Sequence, residues 1–245
     1  MELNKTAHFI MQSKGGAGKS VCSTILAQYL NDKTEGNLSL VDTDPSNKTL
    51  GSYTGLNVQM VDVIGKDKVV DQSKFDSFMN DFIENDKAML VDTGSGDFLA
   101  INNYIHDNGI PDLFNDLDKN LVIHCPINYG QASLETIKCL SKLTENYPDV
   151  SIIVWENEYF GRSDKEFVET KVFKNNKNII GVVKIAKKNA DTDEKDFSKM
   201  LENAMTFQEV KETEDKNLFG FIQKTRIGRI QKELYEQLDA IFDSE

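Results

Sequence analysis

The chain holds little of what would tie it to an oxidising compartment, a membrane or a metal cluster. Cysteine occurs three times in 245 residues, and Cys22, Cys125 and Cys139 form no C-x-x-C and no metal-ligand spacing. They are expected as buried, reduced thiols, without an iron–sulfur or zinc centre. The three histidines, His8, His106 and His124, are scattered, which favours core or surface roles over metal binding. With only four prolines and no Ser/Gly-rich tract there is no linker, and no internal repeat appears, so residues 1–245 are expected to form one domain. No run of about 18 apolar residues is present, and Met1-Glu2-Leu3-Asn4-Lys5 opens no signal-peptide core. The expectation is a cytoplasmic protein without membrane insertion. Basic residues are outnumbered, 28 against 40, and the net charge of −12 opposes nucleic-acid binding over the whole surface.

What is present begins with Gln12-Ser13-Lys14-Gly15-Gly16-Ala17-Gly18-Lys19-Ser20, which follows the apolar run Phe9-Ile10-Met11. This is a strand, a glycine-rich turn and the start of a helix near Lys19. The glycines permit the positive-φ conformations that curl successive backbone N–H groups into a nest for an anionic phosphate. The helix then offers its positive dipole end to the same phosphate. In such loops Lys19 reaches the β- and γ-phosphates, and the Ser20 hydroxyl is a hard ligand suited to Mg²⁺. The standard loop has glycine where this chain has Ser13, and it lacks a lysine at the position of Lys14.

Two strand-end carboxylate elements follow. Leu38-Ser39-Leu40-Val41 reads as a buried parallel strand running into Asp42-Thr43-Asp44-Pro45, and Ala88-Met89-Leu90-Val91 as another running into Asp92-Thr93-Gly94-Ser95-Gly96. An aspartate at the tip of a buried strand beside a phosphate loop is the usual second anchor of hydrated Mg²⁺. Singly, each such aspartate reads as a cap or turn residue. Three elements in this order point instead to one nucleotide site. Apolar strands near residues 7–12, 38–42, 58–63, 88–92, 120–125, 150–155 and 179–185 alternate with helical patterns. That alternation predicts an α/β fold, doubly wound, with a mostly parallel sheet flanked by helices and its ligand at the carboxyl ends of the strands.

The Lys14-bearing loop, Asp42-x-Asp44-Pro45 and Asp92-Thr93-x-x-Gly96 resemble the deviant Walker A ATPases, the group of the partition ParA and division-site MinD proteins. The resemblance is closest to the TraL nucleotide-binding proteins of conjugative plasmids and their StbC-like relatives. It extends through Val122-Ile123-His124 with Gly130-Gln131-Ala132, the strand and loop from Ile152 to Gly161, Lys171 to Lys177, and Gln231 to Ala240, nearly the whole chain. The resemblance implies an ATPase that binds ATP and Mg²⁺ and dimerises with ATP sandwiched between two copies. Gly15, Gly16, Ala17, Gly18, Lys19, Ser20 and Val21 would hold the phosphates. Lys14 would reach across to the partner copy's phosphates, Asp44 would orient the attacking water, and Ser20, Asp42 and Asp92 would serve the metal and its water shell. Asn157 would meet the adenine edge. The setting implied is plasmid conjugation or maintenance, with an unidentified protein partner reading the nucleotide state. The chain departs from many relatives in having Val21 in place of a second hydroxyl and Gly94 in place of a proline. Two other readings stay open: a phosphotransfer or ligase enzyme acting on a small molecule, and a non-hydrolysing nucleotide-gated scaffold.

Two further stretches bear on partners. From Arg162 to Lys188 eight basic residues face three acidic ones, a basis for weak non-specific DNA binding, although a solvated face is the favoured reading because Asp191, Asp193, Glu194 and Asp196 follow. Near the end, at about 221–242, Ile227, Ile230, Leu234, Leu238 and Ile241 recur at helical steps. Arg226, Arg229 and Lys232 are there balanced by Glu233, Glu236, Asp239, Asp243 and Glu245, so this helix is expected to pack on the sheet rather than on anionic lipid.

Overall fold

The computed structural model describes residues 1–44, 49–65 and 69–243. Pro45 of the first carboxylate element and Glu245 of the final charge pattern lie outside the described residues.

The described chain runs β1 (Thr6–Ile10), α1 (Lys19–Lys33), β2 (Leu38–Asp42), β3 (Val58–Met60), α2 (Ser73–Glu84), β4 (Ala88–Asp92), α3 (Phe98–Asp107), α4 (Ile110–Asp116) and β5 (Asn120–Asn128). It continues through α5 (Ser133–Asn146), β6 (Ser151–Asn157), α6 (Lys171–Asn175), β7 (Ile179–Ile185), α7 (Asp193–Glu202), α8 (Phe207–Glu212) and α9 (Phe221–Phe242). The strands make one seven-stranded sheet in the order β3-β2-β4-β1-β5-β6-β7, parallel at each pairing. Central strands β1 and β4 are buried along their whole length, which is why they read as continuous apolar runs rather than as alternating ones.

Helices cover both faces. On one side α2, α3, α4 and α5 pack Phe75, Phe78, Phe82, Ile101, Phe114 and Leu140 against Phe9, Val91 and Ile123. On the other, α1, α7, α8 and α9 pack Ile25, Leu26, Met200, Phe207, Ile230 and Leu234 against Ile10, Leu90 and Trp155. Helix α9 buries Ile227, Ile230, Leu234 and Leu238 and is tied to α7 by Arg226–Asp196 and Arg229–Asp193 ion pairs. No helix among the described residues is long and apolar enough to cross a membrane.

The three cysteines are free and buried. His8 and His124 lie wholly buried in a polar chain: Trp155 Nε1 donates to His124 Nδ1 at 3.0 Å, and His124 Nε2 lies 3.0 Å from His8 Nδ1. Because indole can only donate, His124 must carry its proton on Nε2 and give it to His8. Burial holds both imidazoles well below their usual range, His8 at about 3, so the chain stays neutral.

Topology places the site. From β1 the chain leaves through α1 to one face, and from the neighbouring β4 it leaves through α3 to the other. The divergence opens a crevice at the carboxyl ends of these strands, where open α/β sheets bind ligands.

Candidate functional site

The glycine-rich loop between β1 and α1 is anchored by a buried side chain. After β1, Met11 N still donates to His124 O at 2.9 Å. Gln12 then turns inward, its Nε2 donating to Pro126 O at 2.8 Å and Thr136 O at 3.3 Å while Oε1 accepts from Lys14 N at 3.2 Å. One amide thus pins the loop to the end of β5 and the first turn of α5. Gly18, just before α1, has φ of 105°, and a Cβ there would lie 2.3 Å from Asn157 Nδ2. Backbone conformation and close approach therefore both require glycine. Asn157 ends β6 and is otherwise used locally, its Oδ1 accepting from Tyr159 N at 3.1 Å.

Four carboxylates and one lysine gather beside this loop. Asp42 and Asp92 are register partners on β2 and β4. Asp92 is 6% exposed and accepts from Ser23 Oγ at 2.6 Å. Burial pushes its carboxyl up to about 7, with Asp42 and Asp97 adding to the rise while Ser23 and Lys19 oppose it. Asp42 accepts from Asp44 N at 3.0 Å and Gly51 N at 3.1 Å. Burial raises its pKa, and those amides restrain the rise. Lys19 is lowered by burial and supported by Asp92, Asp97 and Asp44. Ser20 Oγ donates to Thr49 Oγ1 at 3.2 Å.

Lys19, Ser20, Asp44, Thr49 and Asp92 open on a cavity of about 500 Å³. One end is polar, formed by the loop, Asp44, Thr49 and Asp92. The other end runs between β7, α7 and α9 and is lined by Ile185, Phe197, Leu201, Ile230 and Leu234, rimmed by Lys188, Glu194, Glu202 and Glu233, with Tyr159 and Phe160 half exposed. A polar pole with basic and hydroxyl groups, continuous with an apolar pole carrying aromatic rings, suits a phosphorylated ligand with a flat ring.

Of the residues expected from sequence, Gly15, Gly16, Gly18, Lys19, Ser20, Val21, Asp44, Asp92 and Asn157 line this cavity. Ala17 and Asp42 are buried behind it. Lys14 is exposed outside it, and its side chain makes no hydrogen bond or ion pair among the described residues. Sequence reasoning passed over Gln12, Thr43 and Asp97. Gln12 offered no signal, whereas Asp97, after Gly94-Ser95-Gly96 and before an apolar helix, reads as a helix cap. Its carboxylate makes no capping bond: it accepts from Thr43 Oγ1, and burial pushes its pKa up to about 6.

The basic stretch is partly neutralised. Arg162 pairs with Glu158 and donates to Lys187 O, Lys184 pairs with Glu166 at 2.6 Å, and Lys188 pairs with Glu233.

No family model matches the chain. Over 238 residues it is 31% identical to Protein TraL of Escherichia coli, covering 95% of this chain and 97% of that protein. It is 28% identical to a second Escherichia coli Protein TraL over 237 residues, covering 95% and 96%. Among solved structures, the MinD cell division protein of Aquifex aeolicus aligns at a TM-score of 0.47 with 15% identity, covering 94% of this chain and 97% of that one. A nucleotide-binding protein of Archaeoglobus fulgidus in complex with ADP aligns at 0.41 with 15% identity, covering 77% and 85%. With nearly a third of its residues shared along almost the full length of both sequences, the chain belongs to the TraL family.

Proposed function

We propose that the chain is a slow Mg-ATPase that works as a switch: ATP binding joins two copies, hydrolysis separates them, and a partner protein reads the state. The observation carrying this reading is the one cavity onto which Gly15, Gly16, Gly18, Lys19, Ser20, Asp44 and Asp92 all open. Lys19 would neutralise the β- and γ-phosphates, and the N–H groups of the loop would hold them at the start of α1. The adenine would enter the apolar end, beside Asn157, Tyr159 and Phe160.

The residues present fit Mg²⁺. Asp92 is a buried carboxylate beside two others, and Ser20 offers a hydroxyl that donates to the Thr49 hydroxyl. Among the described residues no three carboxylate, histidine or cysteine side chains converge to hold a metal by themselves. That suits an ion which keeps its waters and relies on the nucleotide's phosphates. Bound, it would screen charge developing between the β- and γ-phosphates. Ser20 and Asp92 would hold it, with Asp42 bracing the backbone of Asp44 and Gly51 behind. Asp44 would orient the attacking water.

Lys14 supports the two-copy reading, because its side chain is exposed outside the cavity of its own chain. The setting suggested by the TraL relationship is plasmid conjugation or maintenance in the cytoplasm. Non-specific DNA binding is secondary, since Arg162, Lys184 and Lys188 already have acidic partners. Sizing by light scattering without nucleotide, with ADP and with Mg-ATP tests the switch. A dimer with Mg-ATP alone is expected, and a monomer in all three refutes it.

A further inference from the structure

We propose that Asp97 is a positioning residue for Asp44, holding the loop after β2 against the loop after β4 through Thr43 and the bare Cα of Gly94. The inference rests on reading Asp44 as the group that orients water.

Asp97 precedes the ten-residue helix α3 and is 4% exposed. An aspartate there ordinarily caps its own helix, yet this one makes no such bond. Oδ2 instead accepts from Thr43 Oγ1, the residue between Asp42 and Asp44. Thr43 is further tied to the neighbouring strand, its N donating to Asp92 O at 3.0 Å with Oγ1 3.2 Å from the same oxygen. The remaining oxygen, Oδ1, is buried without a hydrogen-bond partner among the described residues. A lone cap has no reason to tolerate a buried, unsatisfied acceptor. Close packing supplies one: a Cβ on Gly94 would lie 2.9 Å from Asp97 Oδ1 and 3.0 Å from Asp44 Oδ2. Both carboxylates therefore occupy the space that any side chain at position 94 would take. Asp97 does not line the cavity, whereas Asp44 does, so its influence on a bound nucleotide has to pass through Thr43 and Asp44.

A latch of this kind governs turnover and not capture. The test measures Mg-ATP affinity by calorimetry and phosphate release in the full chain carrying Asp97→Ala, Thr43→Val, Thr43→Ser and the double Asp97→Ala/Thr43→Val. Asp97→Ala and Thr43→Val should each lower kcat at least tenfold with Kd within about threefold of wild type. Thr43→Ser, which keeps the hydroxyl, should restore most of the rate, and the double variant should be no slower than the slower single one. Unchanged kcat in either single variant, or losses that multiply in the double, overturns the proposal. If Asp97→Ala fails to fold, Thr43→Val and its serine rescue decide. A wild-type protein that binds ATP without releasing phosphate defeats the ATPase reading separately. The latch is then read from amide exchange at residues 42–44, which Thr43→Val must accelerate; unchanged exchange overturns it.

Discussion

Replacing Asp92 by asparagine should stabilise the nucleotide-free, metal-free protein at pH 8 while removing its capacity to use Mg²⁺. The Asp92 carboxyl is buried beside Asp42 and Asp97 and is raised from 3.8 to about 7. A carboxyl raised in the folded state binds more protons folded than unfolded between those two values. Its contribution is therefore fully present below about pH 4 and is lost as pH rises through 7. A shift of about three units corresponds to an upper bound of about 4 kcal/mol at pH 8. Part of that is shared with Asp42 and Asp97, and asparagine weakens the hydrogen bond from Ser23 by about 1 kcal/mol. The net gain is then about 2 kcal/mol, or roughly 4–8 °C in Tm for a chain of this size. Thermal unfolding in chelator at pH 5 and pH 8 checks it: Asp92→Asn should raise Tm at pH 8, leave it little changed at pH 5, and flatten the dependence between. A lower Tm at pH 8, or the same change at both values, would refute the idea that the site carries uncompensated charge awaiting a cation. Stability given up at a site in this way is the usual trade with function.

Three other substitutions test the roles proposed for the two lysines and Asp44. Lys19→Ala removes the charge proposed to face the phosphates and should weaken Mg-ATP binding by at least a hundredfold, and unchanged affinity in calorimetry would sink the site assignment. Lys14→Ala should leave ATP capture within about threefold while impairing dimer formation or hydrolysis, and Asp44→Ala should keep binding and slow phosphate release at least tenfold. Mixing the Lys14 and Asp44 variants distinguishes trans from cis, since activity that is neither rescued nor dominated in the mixture assigns Lys14 to its own nucleotide.

Much of the architecture was legible because parallel strands buried on both faces are spelled as plain apolar runs. All seven runs became strands of one sheet. Boundaries moved where turn chemistry or pairing intervened. The run at 58–63 stays a strand only over Val58–Met60, since Asp62 takes Ile64 N into a local turn at 3.0 Å. The run at 120–125 extends to Asn128, because β6 goes on pairing with it through Pro126 up to Asn128–Asn157. The glycine-rich turn between β1 and α1 was legible for a related reason: its glycines set the backbone conformation at fixed spacing, and spacing is local.

Asp97 and Gln12 were not legible, for they act across long sequence separations. Asp97 reaches Thr43, 54 residues away, and Gln12 reaches Pro126 and Thr136, 114 and 124 residues away. Likewise the apolar pole of the cavity joins Phe160 and Ile185 to Leu234, which no local pattern connects. The residue pattern alone specifies a glycine-rich strand-to-helix turn, two strand-end carboxylates and an α/β sheet, because each follows from interactions within one loop or one strand. The packed sheet and helices set which carboxylates share the site, that Asp44 and Asp92 face the cavity, and that Lys14 does not. Those outcomes depend on strand order and on helices diverging from β1 and β4, and burial sets the ionisation of Asp92 and Asp97 only once the sheet has closed around them.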